Sequence, residues 1–266
     1  MGSNHNVVSG THLPGSRNRL RGLEVLRDIT TFVNWVRISP GVPAKLALRL
    51  SGLVRLRQFE DMGFYAKYVL PRLIDLAMSN KETARLRAEW IPHARGDVLE
   101  VGIGSGLNLP FYTRQVRRLY GIDPSLELQR MARERMAATP LEVEFFRQSA
   151  EDPIPLSDQS VDTVVVAWSL CSIPNAPAAL QQIKRVLKPD GWLIFLEHGR
   201  APDSGVAVWQ DRLTPAWKHI GGGCHLNRKI HDLIEAAGFR IGELRTFYLP
   251  GPRPITYTYQ GLAQVK

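Results

Sequence analysis

Cysteine is scarce in this chain: 266 residues contain two, Cys171 and Cys224. Two cannot build a disulfide framework, so the expected setting is a reducing cytosol. No Cys-x-x-Cys pair occurs, and the histidines around Cys224 (His219, His225, His231) stand at irregular spacing, so no zinc site is expected. No run of about 18 uncharged apolar residues is present, which excludes a bilayer-spanning helix. The opening residues Met1-Gly2-Ser3-Asn4-His5-Asn6 lack the Ser/Thr of a myristoylation signal and the apolar core of a secretory signal. Internal repeats are also absent.

Positive charge is plentiful but unevenly placed. The net charge is +9, and residues 1–57 hold nine Lys/Arg against Glu24 and Asp28, so the rest of the chain is nearly neutral. Such a leader suits an anionic partner or a solvated helical face.

Residues 1–18 are polar and read as a disordered leader. Residues 19–90 read as a basic helical extension. Leu23, Leu26, Ile29, Phe32, Val33 and Val36 recur at helical spacing, Ser39-Pro40-Gly41-Val42-Pro43 breaks the pattern, and a second basic helix spans 45–57. Two more helices are expected at 64–79 and 81–90. From 91 to 266 the pattern alternates, with apolar runs at 97–101, 117–122, 142–147, 161–167 and 191–197 separated by helical stretches. That implies a parallel, doubly wound α/β sheet. Lys188-Pro189-Asp190-Gly191 reads as a turn before the fifth strand, and a helix at about 227–237 should stop at Gly238. Runs 240–248 and 255–264, with no helix between them, should pair as an antiparallel hairpin.

The most informative stretch is Glu100-Val101-Gly102-Ile103-Gly104-Ser105-Gly106-Leu107-Asn108. Alternate glycines let the chain turn sharply out of a strand and approach a ligand closely. Asp123, 21 residues after Gly102, stands where a second strand ends and can accept ribose hydroxyls. The dinucleotide fingerprint needs its third glycine at the sixth position, which is Leu107 here, and no Gly-Lys-Ser/Thr follows, so a P-loop is excluded. Ligands in such sheets sit beyond the carboxyl ends of the strands. That rule nominates Glu100 to Gly106 with Asn108, then Asp123-Pro124-Ser125, Gln148 to Glu151, and Trp168 to Cys171.

The acid-x-Gly-x-Gly-x-Gly pattern with a second acid about 20 residues on resembles class I S-adenosylmethionine (SAM) methyltransferases. The resemblance implies a Rossmann-like seven-stranded sheet, six strands parallel and one antiparallel. It also implies SAM as methyl donor and S-adenosylhomocysteine as product. Ala150 and Glu151 would border the adenine and Trp168 the methionine part. Tyr65 and Tyr68 in the segment 64–68 would form a lid, since a sulfonium can rest on an aromatic face.

The acceptor is read from two segments. After the fourth strand, Trp168-Ser169-Leu170-Cys171 replaces the Asn/Asp-Pro-Pro-Tyr/Phe of amino-methylating nucleic-acid enzymes, and Cys171 follows no proline, so nucleic acid is disfavoured. The stretch 198–226 reads as an acceptor-site insertion. Its Glu197-His198 and Pro215-Ala216-Trp217-Lys218-His219-Ile220-Gly221-Gly222-Gly223-Cys224 resemble the methyltransferase-like protein 7 group of small-molecule thiol methyltransferases. The similarity covers roughly 60–240. That group has a hydrophobic anchor where this chain has basic amphipathic helices. The resemblance implies a small-molecule thiol acceptor. His198, His219 or His225 could hold its proton, with His198 preferred because it stands at a strand's carboxyl end and His219 second, and Cys171, Trp217 and His225 are expected against the substrate. The alternative is N-methylation of a small amine or a phospholipid head group, with residues 20–57 docked on anionic membrane. A cytoplasmic location, peripheral at the membrane in that case, is the expectation. A non-catalytic SAM-binding subunit is a third reading.

Overall fold

The computed structural model describes residues 65–266. The disordered leader expected at 1–18, the basic helices expected at 20–57 and Phe64 lie outside the described residues. The described residues belong to one compact unit.

Seven strands form a single sheet in the order β3-β2-β1-β4-β5-β7-β6. They are β1 (Gly96–Val101), β2 (Val116–Ile122), β3 (Val143–Phe146), β4 (Val161–Ala167), β5 (Leu187–His198), β6 (Phe239–Tyr248) and β7 (Tyr257–Val265). The first five pair in parallel, and β7 inserts between β5 and β6, antiparallel to both. Six strands therefore run one way and one the other. The reason is connectivity: the link 249–256 between β6 and β7 is short and proline-rich, which permits a hairpin but no crossover helix.

Six α-helices fall among the described residues: α1 (Leu70–Met78), α2 (Lys81–Trp90), α3 (Leu126–Met136), α4 (Ala176–Val186), α5 (Ser204–Ile220) and α6 (Ile230–Ala236). A π-helical turn, Tyr65–Val69, runs into α1. Short polar residues start several of them. Asn80 accepts from Thr83 N–H at 3.0 Å, Ser125 from Leu128 N–H at 3.3 Å and Asn175 from Ala178 N–H at 3.2 Å. Gly238 follows α6 at φ +92°, the left-handed stop its position suggests.

Alternate strand residues bury into two cores. Leu99, Val101, Val164, Val166 and Phe195 pack with Leu180 and Ile183 of α4 and Ile230 and Ile234 of α6. Val98, Val165, Ile194 and Leu196 pack with Leu86 and Trp90 of α2. Both sheet faces are thus covered, as near-continuous apolar strands require.

Two local readings change. The expected turn at 188–191 is part of β5: the register steps from Val161↔Leu187 to Thr163↔Trp192, so the extra residues bulge from the ladder. Lys188 Nζ holds this bulge to Asp162 at 2.5 Å, a contact between distant residues that local turn chemistry does not reveal. The stretch 198–226 contains a 17-residue helix, α5, with Pro215 inside it.

The strand order reverses at β1, which lies between β2 and β4. Val101 pairs with Ile122 on one side and Val166 on the other. Residues that follow these three positions consequently emerge side by side at the switch point, where α/β sheets bind ligands.

Candidate active site

Asp123 is the first residue beyond β2, and its carboxylate is built into the glycine turn. Oδ2 accepts from Gly104 N–H at 3.0 Å and Oδ1 from Ser125 N–H at 2.8 Å. The turn is tied to β2 as well, because Gly102 and Ile103 N–H both donate to the Ile122 carbonyl, at 2.8 and 3.1 Å. Burial raises the Asp123 carboxyl to about 6 against the pull of those two N–H groups. Each carboxylate oxygen has a further lone pair to offer a hydroxyl donor.

The three glycines do different work, all at positive φ. A Cβ on Gly102 would fall 2.3 Å from Ser169 Cβ, so this position serves strand-to-loop packing. At Gly104 the missing Cβ opens into free space, its nearest neighbour being the Gly102 carbonyl at 3.8 Å. Gly106 faces away from the cleft: its Cβ would meet Leu109 at 2.8 Å and the Ala132 backbone of α3 at 3.1 Å.

Below the turn lies a buried polar chain. Glu100 accepts from Asn108 Nδ2 and Tyr112 Oη, both at 2.7 Å, and Arg87 Nε donates to Asn108 Oδ1 at 3.0 Å. Burial lifts Glu100 to about 7, opposed by those two donors and the Arg87 charge. Burial also brings Arg87 down to about 10. Arg87 further binds the Met78 carbonyl at 2.8 Å and stacks 4.7 Å from the Trp168 ring centroid. Tyr112 and Arg87 were not singled out in the sequence; neither follows a motif, and each reaches the site through tertiary contact.

Beyond β4 the chain turns abruptly. Trp168 has φ +51°, strained for a residue with a side chain, and Ser169 Oγ donates to the Val101 carbonyl at 2.6 Å. The buried Glu197 carboxylate gathers the N–H groups of Ser169, Leu170 and Cys171 at 2.9, 2.8 and 3.0 Å. Arg228 holds the same loop from its other side, donating to the Leu170 and Ile173 carbonyls, both at 2.6 Å.

These elements enclose a cleft of about 340 Å³. Of the residues nominated from the sequence, Glu100 to Ser105, Asn108, Asp123, Pro124, Ser125, Ser149, Ala150, Trp168 and Ser169 line it. Its roof is α1, through Leu70, Pro71, Ile74 and Met78. A clamp fixes that roof, because Asp75 accepts from Ser105 Oγ at 2.5 Å and from Arg135 at 2.9 Å, while Arg135 also binds the Ser105 carbonyl at 2.6 Å.

The remaining nominees lie elsewhere. Tyr65 and Tyr68 stand in the π-helical turn before the roof, with Tyr68 exposed. Glu151 binds the N–H of Asn175. Cys171 and Cys224 are buried as neighbours. His198 is engaged at both nitrogens: Nε2 lies against the Ile255 carbonyl, and Nδ1 is 3.5 Å from Cys224 Sγ. His225 Nδ1 is 3.2 Å from the Cys171 carbonyl, Trp217 contacts Cys224, and His219 is exposed near the end of α5. Gly222, from the same insertion, does border the cleft.

A glycine turn, a strand-end acid and a cleft at the switch point of this sheet define a protein of the Rossmann-like methyltransferase architecture. The Methyltransferase domain family matches residues 99–195. In fold, residues covering 79% of the chain resemble 99% of a chain from the complex of the Haloferax volcanii Trm112 methyltransferase activator with a methyltransferase, at TM-score 0.57 and 19% identity. In sequence, the chain is 34% identical over 177 residues to human thiol S-methyltransferase TMT1A, covering 63% of this chain and 71% of that protein. It is 38% identical over 158 residues to thiol S-methyltransferase TMT1B of Rattus norvegicus, covering 58% of this chain and 64% of that one. The chain belongs to this thiol S-methyltransferase family, and it spans somewhat less than two thirds of the TMT1B sequence that it matches.

Proposed function

We propose that this protein transfers a methyl group from SAM to a small-molecule thiol. One observation carries the reading: Asp123, fixed by the Gly104 N–H, sits on a cleft that the glycine turn leaves open. The open space at Gly104, which a Cβ would fill, and the free lone pairs of Asp123 fit the donor. Asp123 would hold its ribose hydroxyls, Ala150 and Pro124 would border the base, and Trp168 and Asn108 the amino-acid end. When bound, SAM supplies an electrophilic methyl on a sulfonium, and the protein supplies alignment and exclusion of water.

The wall chemistry supports a thiol over a phospholipid head group. Among the described residues, the charged ones lining the cleft are Arg87, Glu100 and Asp123, and the first two share Asn108 as a partner. The roof and the Ile173-Pro174 edge are apolar, which suits an uncharged organic thiol, and Arg87 is held by Asn108 and the Met78 carbonyl. A thiol reacts as its thiolate, and its ordinary pKa of about 8.5 requires only a modest push. His198, reached through the Cys224 thiol, would take that proton, with His219 after it. The charge in residues 20–57 supports peripheral contact with anionic lipid, which vesicle co-sedimentation at low and high salt would test.

The reading is tested by incubating the protein with labelled SAM and a mixed set of thiols and amines, then weighing the products. Methyl thioethers support it. Methylated amines or phosphoethanolamine lipids with untouched thiols would replace it with the N-methylation reading.

A further inference from the structure

The only two cysteines of the sequence, 53 positions apart, meet in the fold. Backbone contacts bring them together: His225 N–H donates to the Cys171 carbonyl at 2.8 Å, and a Cβ on Gly223 would lie 2.9 Å from the Ser172 carbonyl. The two thiols are neighbours in a nearly dry pocket, at 2% and 5% exposure. His198 sets the polarity of the pair. Its Nε2 faces a carbonyl, which only accepts, so that nitrogen carries the proton and Nδ1 is left to take the Cys224 proton. Ser172, next to Cys171, and Gly222, two positions before Cys224, border the cleft.

We propose that Cys224 and Cys171 form a dithiol that reduces low-molecular-weight disulfides by thiol–disulfide exchange. The Cys224 thiolate, its proton held on His198, attacks one sulfur of R–S–S–R. A Cys224–S–S–R bond forms, the R–S–S–R bond breaks, and the departing RS⁻ takes the proton from His198. Cys171 then loses its proton to His198 and attacks Cys224 Sγ, forming the Cys171–Cys224 bond and expelling the second RS⁻, which collects that proton. Two protein thiols are oxidised and one disulfide is reduced to two thiols. Attack begins at Cys224 because of its environment. The neighbouring Cys171 thiol and then the His198 contact pull the Cys224 thiol well below its ordinary range, against burial. The same contact with Cys224, and then burial, hold Cys171 well above. Closing the bond would tie the loop after β4 to the insertion, both of which border the cleft.

The test needs neither SAM nor methyl transfer, so its outcome is separate from that of the proposed function. Full-length protein is incubated with hydroxyethyl disulfide, denatured in excess alkylating reagent, and weighed intact. The expected wild-type result is loss of two hydrogens and of both alkylatable thiols, with no retained adduct. Cys171→Ala should hold a one-to-one hydroxyethylthio adduct on Cys224. Cys224→Ala should keep its remaining thiol free. His198→Ala should slow adduct formation about ten-fold at neutral pH. Wild-type protein that still takes up two alkyl groups, or that loses its thiols only in denaturant, would overturn the proposal.

Discussion

The Gly104 N–H and the Asp123 carboxylate are joined at 3.0 Å, so the turn after β1 and the acid after β2 form one unit. The consequence is electrostatic. Burial lifts Asp123 to about 6, while this bond and the one from Ser125 favour its ionised form. Ribose hydroxyls add two more donors to the same ion, and charge-assisted bonds of this kind contribute on the order of 1.5–3 kcal/mol each.

Donor binding should therefore depend on pH. Bound hydroxyls stabilise the carboxylate, so the complex has a lower Asp123 pKa than the free protein. Affinity for SAM should be flat above about pH 6.5 and fall as pH drops below about 6, by up to about ten-fold per pH unit. Titration calorimetry between pH 5 and 8 checks this. An affinity that is constant or improves toward pH 5 contradicts it.

Gly104→Ala and Gly106→Ala should separate binding from folding. Both positions are left-handed, at φ +55° and +79°, so each alanine costs about 1 kcal/mol of stability. At Gly104 the added methyl meets, among the described residues, only the Gly102 carbonyl at ordinary contact distance and enters the cleft, so SAM affinity should drop at least ten-fold with little further loss of stability. At Gly106 it meets the backbone of Ala132, which should cost a further 1–3 kcal/mol. Urea denaturation beside SAM titration reads both effects.

Glu100 should make unliganded stability fall with rising pH. Its folded pKa, about 7, lies above the 4.5 of the unfolded chain. The stabilisation is complete below 4.5 and is lost as pH rises through 7, a change on the order of 3 kcal/mol. Glu100→Gln keeps a carbonyl for Asn108, and the Tyr112 hydroxyl can turn to accept from the amide. Its stability relative to wild type should improve by that amount between pH 5 and 8, as read by urea unfolding at each pH. An unchanged difference would show that Glu100 does not titrate in this window.

If His198 holds the acceptor proton through Cys224, His198→Ala should lower kcat for thiols about 100-fold at pH 7. The defect should shrink near pH 9, where most of a thiol is already ionised. A deficit of equal size at both pH values would mark His198 as structural only.

Much of the fold was legible because its signals are local. Alternating strand and helix patterns gave the sheet, the short proline-rich 249–256 link gave the antiparallel β7, and the spacing from Gly102 to Asp123 gave the switch-point turn. What escaped depends on contacts between distant residues. Arg87 joins Asn108 from 21 positions away, and Asp75 clamps α1 to Ser105 from 30. Nothing in the pattern at Leu70, Pro71, Ile74 and Met78 distinguished a cleft roof from ordinary helix packing, whereas the aromatics Tyr65 and Tyr68 drew attention just upstream. Gly106 resembled its two companions in spacing, yet the nearness of α3 gives it a packing role.

The central claim is that the turn at 102–106 and Asp123 grip the methyl donor, and calorimetry of SAM binding to wild-type and Asp123→Ala protein at pH 7.5 tests it most directly. The account predicts one-to-one binding by wild type and a loss of ten- to a hundred-fold or more in the variant, with unchanged circular dichroism. Equal affinity in the two proteins, or no heat from wild type, would contradict it.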